Sequence, residues 1–285
     1  MSRTRLTFVT ALVALFALAM VAAGCGSSDD SSTTSASSGS STTGGSGSSE
    51  DLGLITPGTL TVGSDIPYPP FEQGKPPDYT GFDIDLIDAI AEKLGLTTKI
   101  VDTSFATIFS DQQAGKFDIV ASSTTITPAR SQRVTFSDPY FNADQSLMVQ
   151  TAGDLQSVDQ ITSDTRIAVQ EGTTGQAYAE DKTDAQVQAY PGIGTAFNAL
   201  QAGQVDGVIN DFPVSAYALR KYPDLDVSQT IPTGEKYGFP MQKTNTALVD
   251  AVNGALSDLI DDGTYATIFK KWFEKEPPKE YQPSS

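Results

Sequence analysis

Polar and charged side chains follow apolar segments of the chain at the points where those segments end. Residues 114–121 read A-G-K-F-D-I-V-A and are followed by Ser122-Ser123. A similar segment, A-G-Q-V-D-G-V-I at 202–209, is followed by Asn210-Asp211. Ligands of open α/β sheets bind beyond the carboxyl ends of the strands, so two related lobes would present hydroxyl groups from one side and a carboxylate from the other. Such a cleft suits a small zwitterion.

The stretch that continues the first segment is rich in hydroxyl groups and ends in an arginine. Residues 122–130 read S-S-T-T-I-T-P-A-R, and they leave a predicted buried strand, where loops commonly carry function. Most arginines lie on protein surfaces, and this is one interpretation of Arg130. In the other, its guanidinium group forms a bidentate fork on a ligand carboxylate, a task that lysine performs less well.

Several further residues have both a structural and a functional interpretation. The sequence E-G-T-T-G at Glu171–Gly175 begins a predicted helix, where a threonine caps the helix or backbone N–H groups receive an anion. Asp211 precedes Pro213 and either caps a helix or balances a ligand ammonium group. Tyr68, in a proline-rich loop, and Phe105, at a predicted helix start, are either core aromatics or pocket walls.

Alternating strands and helices are expected to position these residues. Gly81–Leu94 has apolar residues at helical spacing and is followed by Gly95, which is typical of an amphipathic helix. Further predicted helices are Phe105–Gln113, one that follows the turn at Glu171–Gly175 and ends at Glu180, Gly194–Ala202, Pro213–Lys221, Thr246–Leu259 and Tyr265–Phe273. The predicted strands are Leu60–Gly63, Thr98–Val101, Phe117–Ala121, Val134–Phe136, Leu147–Val149, Arg166–Gln170, Val187–Tyr190, Val205–Ile209 and Leu225–Ser228. This alternation favours βαβ units, parallel sheet and an α/β protein of two lobes.

The composition excludes several classes of protein and site. The net charge of −17 and the pI of about 4.2 argue against nucleic acid and against direct binding to anionic lipid. The chain has no histidine and one cysteine, which excludes Ser–His and Cys–His nucleophilic sites and the commonest zinc sites. Dinucleotide-binding and P-loop motifs are missing, so we expect no cofactor and no metal, while carboxylate-based catalysis stays open.

The first residues are typical of a secretory signal. Two arginines precede the apolar stretch Leu6–Val21, and small residues come directly before Cys25. A signal anchor is the alternative, but the small residues and the polar segment after them favour cleavage. We therefore predict a signal peptide over 1–24. Because the next segment is almost entirely Ser, Thr, Gly, Ala and Asp, we predict a flexible tether over 25–51.

The junction at Cys25 resembles a bacterial lipobox, in which the cysteine thiol is acylated and becomes the new N-terminus. The sequence departs from that pattern at Ala22, where leucine is usual. Two or more acyl chains anchor a protein stably. The resemblance therefore implies attachment to the outer face of the cell membrane, in a periplasm or at a cell surface. An ordinary secreted protein with an unrelated cysteine is the alternative.

The folded part resembles the extracellular solute-binding proteins of family 3, the polar amino acid receptors of ABC importers. The resemblance covers roughly Leu52 to Pro278 and depends on several motifs taken together. These motifs are G-S-D-I-P-Y-P-P-F-E at 63–72, G-F-D-I-D-L at 81–86, the segment 118–130, F-S-D-P-Y at 136–140, and G-T-Y to K-W-F over 263–273. The family implies a two-lobed, type II periplasmic-binding-protein fold, the Venus flytrap, with two chain crossings at its hinge.

The same resemblance implies where the lobes begin and end. Crossings are expected near Leu147–Gln150 and near Lys236–Phe239. Lobe 1 would comprise residues 52–148 and 238–278, lobe 2 would comprise 149–237, and 279–285 would form a tail.

The resemblance also implies roles for the candidate site residues. Arg130 would hold the α-carboxylate of the ligand, and Asp211 would take its α-ammonium group. The others would assist the carboxylate (Ser123, Thr125 and the backbone of Thr173 and Thr174), sandwich the ligand side chain (Tyr68 and Phe105) or face its polar end (Asp65 and Gln170), and Ser122 completes the predicted site. The sequence departs from receptors of basic amino acids at Gly175, where glutamine is frequent, and from glutamine receptors at Gln170, where lysine is frequent.

These expectations combine into one function with two rivals. The chain is predicted to be a monomeric, lipid-anchored receptor, not an enzyme, that closes on a polar L-amino acid and delivers it to an ABC permease. A buried carboxylate at Asp65 needs a hydrogen-bond donor or a cation, so glutamine or a basic amino acid is favoured. A secreted dehydratase-like enzyme would need a carboxylic acid of raised pKa in the cleft, such as Glu171. A sensor module would need a membrane span and a signalling domain after the lobes.

Overall fold

The structure of the protein is a computed structural model, and it describes residues 51–283. Contacts between residues divide the chain after Gly47, and Ser48–Ser285 forms one compact unit with its own hydrophobic core. The predicted signal peptide, Cys25 and nearly all of the predicted tether lie outside the described residues. Within the described part, no helix combines the length and the apolar character that a membrane crossing requires.

Strands and helices alternate through most of the described chain. The strands are β1 (Thr59–Ser64), β2 (Gln73–Lys75), β3 (Asp78–Thr80), β4 (Thr97–Asp102), β5 (Ile119–Val120), β6 (Thr135–Phe136), β7 (Phe141–Asn142), β8 (Gln145–Gln150), β9 (Arg166–Gln170), β10 (Gln186–Tyr190), β11 (Gly207–Asp211), β12 (Leu225–Ile231), β13 (Lys236–Tyr237) and β14 (Pro240–Met241). The helices are α1 (Phe82–Lys93), α2 (Ile108–Gln113), α3 (Pro128–Ser131), α4 (Thr174–Lys182), α5 (Ile193–Gln201), α6 (Phe212–Ala218), α7 (Thr246–Asp261) and α8 (Thr264–Phe273). Two five-stranded sheets result, one in each lobe.

The sheet of lobe 1 has the strand order β4-β1-β5-β14-β6. β1 pairs in parallel with β4 and with β5, so that Val62 lies opposite Ile100 on one side and Ile119 on the other. β14 comes from the C-terminal part of the chain and pairs antiparallel to β5 and β6. Lobe 1 is therefore assembled from two stretches that are far apart in the sequence.

The sheet of lobe 2 has the order β10-β9-β11-β8-β12 and is built from one continuous stretch. β9 pairs in parallel with β10 and β11, whereas β8 runs antiparallel to β11 and β12. β11 is buried along its whole length, as expected for the centre of a sheet that is covered on both faces. Its last residues are Asn210 and Asp211, which places both side chains at the carboxyl end of a central strand.

The duplicated sequence forms the same local structure in both lobes. Gly115 and Gly203 follow the ends of α2 and α5 with φ angles of 71° and 69°, a left-handed conformation that glycine adopts without strain. Asp118 then accepts a hydrogen bond of 2.8 Å from a backbone N–H of β1, and Asp206 accepts one of 2.8 Å from β9. Each aspartate therefore ties its own segment to the neighbouring strand.

Two chain segments connect the lobes side by side. β7 pairs antiparallel with β13, and Phe141 lies opposite Tyr237. The crossing at β13 falls within the predicted stretch Lys236–Phe239. The other crossing comes earlier than the predicted one near Leu147–Gln150, because β8 begins at Gln145 and pairs throughout with strands of lobe 2. The expected end of the first part of lobe 1 at residue 148 is therefore a few residues too late.

Aromatic side chains of lobe 1 and of the crossings pack on one another. The ring centroids of Phe71 and Phe82 are 5.9 Å apart in an edge-to-face arrangement, and those of Phe71 and Tyr237 are 5.4 Å apart. Phe141 stacks on Tyr237 with 5.7 Å between centroids. Pairs of this geometry contribute about 0.5–1.5 kcal/mol each beyond the burial of their area. The crossings are therefore firmly attached to the core of lobe 1.

α1 begins at a close approach of two backbone segments. Gly81 has a φ angle of 145°, and a Cβ atom there would lie 1.8 Å from the carbonyl oxygen of Phe71. The N–H of Asp83 donates a hydrogen bond of 3.1 Å to that same oxygen. Because glycine permits this approach, the residue after Phe71, Glu72, is brought next to the first turn of α1.

Some elements differ from the sequence-based predictions. α2 begins at Ile108 instead of Phe105, because residues 104–107 form a separate turn, and Phe105 therefore lies outside the helix. α6 ends at Ala218 instead of Lys221, where hydrogen bonds of the tighter i to i+3 kind close the last turn. β5 is shorter than predicted, and the hairpin of β2 and β3 and the short helix α3 were not predicted.

Candidate functional site

A small, largely filled cavity lies between the two lobes. Every residue that the sequence predicts as ligand-binding lines it: Asp65, Tyr68, Phe105, Ser122, Ser123, Thr125, Arg130, Gln170, Thr173, Thr174 and Asp211. The residues up to Arg130 belong to lobe 1 and the others to lobe 2. Their polar atoms form groups around Arg130, Asp211 and Asp65.

Arg130 is positioned by the short helix α3. The side chain of Thr127 caps this helix and accepts a hydrogen bond of 3.2 Å from the N–H of Arg130. The guanidinium group donates to the carbonyl oxygen of Thr125 at 2.8 Å and, across the cavity, to that of Gly172 in lobe 2 at 3.0 Å. These two carbonyls orient the planar group but carry no charge to neutralise it.

The guanidinium group of Arg130 is half-buried and charged. It lies over the rings of Phe105 and Phe109, 5.3 and 5.1 Å from their centroids, as in cation–π contacts. Burial lowers the pKa of Arg130 to about 10, and the carboxylates of Asp211 and Glu235 act in the opposite direction. Arg130 is thus a cation at neutral pH. Within residues 51–283 it forms no salt bridge, so its charge is available to an anionic ligand group.

Asp211 directs its carboxylate toward the cavity. Although it immediately precedes α6, its side chain makes no capping hydrogen bond, so the capping interpretation is wrong. The carboxylate instead accepts hydrogen bonds from the phenol of Tyr68 at 2.8 Å, the phenol of Tyr237 and the side-chain amide of Gln145. Burial raises the pKa of Asp211 to about 6, against the effect of these donors. The group is therefore a buried carboxylate at neutral pH.

Asp65 forms the third polar group with Gln170. The backbone N–H of Asp65 donates to Ser122 Oγ at 3.0 Å, and its carboxylate accepts a hydrogen bond from the side-chain amide of Gln170 in lobe 2. Burial is the main cause that raises the pKa of Asp65 to about 6, and the negative charge of Asp102 adds to it. The hydrogen bond from Gln170 has the opposite effect. A ligand donor at this end would complete the pairing of the carboxylate.

The start of α4 borders the cavity. The hydroxyl oxygen of Thr173 accepts a hydrogen bond of 3.1 Å from the N–H of Gln176, so threonine caps this helix as predicted. Thr174 Oγ1 lies 3.5 Å from Thr125 Oγ1 of lobe 1. A Cβ atom on Gly175 would lie 3.0 Å from a carbonyl oxygen of β11, which explains why a residue without a side chain stands there.

The apolar walls and the serine loop complete the lining. Tyr68 and Phe105 are each 7% exposed, and both contact other site residues, Tyr68 through its phenol and Phe105 through its ring face. Ser122 and Ser123 follow β5 and are likewise buried. Ser123 has a φ angle of 45°, a left-handed conformation that is uncommon for a residue with a side chain.

Glu235 is a carboxylate near the site that sequence reasoning missed. Its Oε2 atom accepts hydrogen bonds from Thr174 Oγ1 at 2.7 Å, from Thr125 Oγ1 at 3.1 Å and from Gln145 Nε2 at 3.2 Å. This one oxygen atom therefore links Thr125 of lobe 1 to two residues of lobe 2, Thr174 and Gln145, the second at the start of β8. The available signal was its position directly before the predicted crossing at Lys236–Phe239, in a chain segment that must pass close to both lobes.

The arrangement can neutralise two opposite charges at once. Arg130 offers a half-buried cation from lobe 1, and Asp211 offers a buried carboxylate from lobe 2, where electrostatic interactions are stronger than in water. Asp65 adds a second carboxylate to the lining. A small molecule with a carboxylate, an ammonium group and a further donor matches these groups in number and sign.

The described sequence matches the profile of the bacterial extracellular solute-binding proteins, family 3, over residues 60–275. The chain belongs to this family. The match spans both lobes and confirms the resemblance that the motifs indicated. Membership makes this an extracellular solute-binding protein by family, in agreement with a cavity enclosed between two lobes.

Relatives of this family 3 protein include receptors for different amino acids. The ABC transporter arginine-binding protein 1 of Escherichia coli (strain K12) is 31% identical over 221 residues, which cover 75% of this chain and 90% of that protein. The ABC transporter glutamine-binding protein GlnH of Bacillus subtilis (strain 168) is 31% identical over 201 residues, which cover 69% and 74%.

A solved structure supports the fold of the family 3 protein. The ancestral amino acid-binding protein AncCDT-1, a precursor of cyclohexadienyl dehydratase, aligns with a TM-score of 0.72 at 38% identity. The alignment covers 76% of this chain and 96% of that chain. The predicted two-lobed, type II periplasmic-binding-protein fold is confirmed.

Proposed function

We propose that this family 3 protein is a lipid-anchored receptor that binds a polar L-amino acid between its lobes and delivers it to an ABC permease. Glutamine or a basic amino acid is the favoured ligand. The observation that carries the proposal is that the half-buried cation Arg130 of lobe 1 and the buried carboxylate Asp211 of lobe 2 line the same cavity.

The two charged groups fit the backbone of an amino acid. Arg130 binds the α-carboxylate in a bidentate manner, a geometry for which its guanidinium group is suited. Ser123, Thr125 and the backbone N–H groups at Thr173 and Thr174 assist, since a helix N-terminus attracts anions. The carboxylate of Asp211 takes the α-ammonium group.

The remaining lining residues fit the ligand side chain. Tyr68 and Phe105 form apolar walls, and Asp65 with Gln170 forms the polar end. A cationic side chain pairs with the Asp65 carboxylate, and the amide of glutamine donates a hydrogen bond to it. Glutamate and aspartate are disfavoured because they bring a like charge to Asp65. Relatives that are arginine-binding and glutamine-binding proteins support both choices.

Binding is coupled to closure of the lobes about the paired crossings at β7 and β13. The contacts that join the lobes around the cavity include those of Arg130 with Gly172, Tyr68 with Asp211, and Asp65 with Gln170. A ligand that contacts both lobes at once stabilises the closed form over the open one, which shifts the population toward closure. The permease recognises the closed monomer.

The location of the receptor rests on the N-terminal sequence. The signal-like segment over 1–24, the lipobox-like junction at Cys25 and the polar tether over 25–51 support a binding unit that lies outside the cell membrane and is attached to its outer face by acylation of Cys25. The family description, extracellular solute-binding proteins, agrees with this location.

A ligand screen and two variants test the proposal. Ser48–Ser285, which has its own core, is heated with each of the twenty amino acids, and a true ligand raises the melting temperature with its concentration. Isothermal titration then compares wild type with Arg130→Ala and Asp211→Ala, both of which should abolish binding without loss of the fold. Arg133→Ala, an exposed arginine nearby, is the control. Near-native affinity in either site variant contradicts the assignment.

A dehydratase-like enzyme is the second candidate, because Asp65 and Asp211 both have pKa values raised to about 6 inside the cavity. The earlier candidate acid, Glu171, is wrong: it is exposed and does not line the cavity. Incubation with prephenate and with arogenate, followed by detection of the aromatic product, tests this function. Turnover that Asp65→Asn abolishes would favour the enzyme over the receptor.

A further inference from the structure

Two carboxyl groups lie buried directly behind the serine loop of the cavity. Glu72 ends the loop that follows β1, and Asp83 lies in the first turn of α1. Both are 0% exposed. Neither forms a salt bridge with a lysine or arginine in the described part of the chain. Two ionised carboxylates in such surroundings would repel each other without compensation.

Both carboxyl groups contact Ser123. The backbone N–H of Ser123 donates a hydrogen bond of 2.8 Å to Asp83 Oδ2, and its hydroxyl donates one of 3.1 Å to Glu72 Oε1. Tyr140 also donates to Asp83 Oδ2, at 2.6 Å. These bonds hold both the backbone and the side chain of Ser123, which is the residue in the left-handed conformation.

The hydrogen bonds of the four carboxyl oxygens leave room for one proton shared between Glu72 and Asp83. The carboxyl groups of Glu72 and Asp83 lie within hydrogen-bonding reach of each other. Asp83 Oδ1 is buried and receives no hydrogen bond from any donor in residues 51–283. Ionised carboxylates only accept hydrogen bonds, so a proton on Glu72 provides the donor that Asp83 Oδ1 otherwise lacks.

We propose that Glu72 and Asp83 are positioning residues that share one proton and hold Ser123 in the conformation that presents the loop 122–125 to the ligand. This inference rests on the proposed function, since the loop matters only if the cavity binds a ligand. Ser122, Ser123 and Thr125 all line the cavity, so a shift of Ser123 moves groups on both sides of it.

The stability of the protein should depend on pH through the shared proton. Burial, and then the charge of Asp83, raises the pKa of Glu72 well above its ordinary value. The titratable groups that act on the pair are Asp65, Tyr68, Tyr140 and Tyr265. Because the folded protein holds the proton more tightly than the unfolded chain, stability from this pair is greatest at acidic pH and falls as the pH rises toward the raised pKa.

The test compares Ser48–Ser285 of wild type with Glu72→Gln over a pH series from weakly acidic to alkaline. Glutamine has the shape of protonated glutamate, with a permanent donor for Asp83 and an acceptor for Ser123. As the pH rises, the melting temperature of wild type should fall relative to that of Glu72→Gln. The affinities of wild type for L-arginine and L-glutamine should also fall relative to those of Glu72→Gln. Glu92→Gln, an exposed acid on α1, should behave as wild type.

Parallel pH profiles of melting temperature in wild type and Glu72→Gln would overturn the shared proton. Weaker ligand binding by Glu72→Gln at neutral pH would overturn it too, since the variant preserves every hydrogen bond of the protonated pair. Glu72→Ala, which removes the donor and the acceptor, should bind more weakly than Glu72→Gln. If wild type binds neither amino acid, the proposed function fails, while the melting profiles still decide whether the pair shares a proton.

Discussion

Binding of L-arginine is expected to weaken steeply below about pH 6, and Asp65→Asn should halve the steepness. The fall in pH protonates Asp65 and Asp211, whose pKa values are both raised to about 6 by burial. Each carboxylate pairs with one positive charge of the ligand in the proposed complex. Protonation of either one leaves a ligand cation facing a neutral group, so affinity falls as the pH falls.

The size of the effect follows from these pKa values. At about pH 5 a carboxyl of pKa about 6 is ionised in roughly one molecule of ten, which costs about 1.4 kcal/mol, or a tenfold loss of affinity. Two such groups lower arginine affinity about a hundredfold relative to neutral pH. Asp65→Asn retains only Asp211, so its affinity should fall about tenfold over the same range. Arginine itself does not change its charge there.

Isothermal titration in buffers of different ionisation enthalpy measures both the affinity and the protons released on binding. About two protons are expected for wild type and about one for Asp65→Asn at about pH 5. Circular dichroism at each pH checks that the protein remains folded. An arginine affinity that is unchanged between neutral pH and about pH 5 would refute the reasoning, as would parallel curves for wild type and Asp65→Asn.

Three further substitutions should change the pH dependence of binding, the stability of the fold and the attachment to the membrane. Glu235→Gln removes a negative charge that raises the pKa of Asp211, so the acid limb of arginine binding should move to lower pH; an unmoved midpoint contradicts this. Gly81→Ala should lower stability by about 1–3 kcal/mol or more in calorimetry, whereas Gly254→Ala, whose new Cβ meets nothing, should not; equal effects contradict the close approach at α1. Cys25→Ser should release the protein from the membrane fraction, and lipid-free wild type by mass spectrometry would contradict the anchor.

The candidate site could be predicted from the sequence because most of its residues belong to recognisable strand ends and helix starts. Ser122-Ser123 and Asp211 follow the two copies of one pattern, and Thr173 begins a helix after a glycine-containing turn. The pattern has a local cause, since a left-handed glycine ends the helix and an aspartate ties the segment to the next strand. Local causes of this kind are visible in the sequence.

The residues that were missed depend on contacts between distant parts of the chain. Glu235 is near the site because it accepts hydrogen bonds from both lobes, and Gln145 because its amide reaches Asp211. Glu72 and Asp83 meet only because Gly81 lets two backbone segments approach. No periodicity in the sequence predicts contacts between such distant segments. The first crossing lies earlier than expected for a related reason, since β8 belongs to lobe 2 through its pairing partners and not through any feature of its own residues.

The place of β14 in the first sheet has a consequence for the order in which the protein folds. Met241 of β14 pairs with Ile119 of β5, so a strand made near the end of synthesis fits between strands made long before it. Lobe 2 is continuous and contains all its strands once β12 has left the ribosome. Contacts of high sequence separation form slowly. We therefore expect lobe 2 to fold first and the N-terminal part of lobe 1 to wait, with an open sheet edge, for the last part of the chain to arrive.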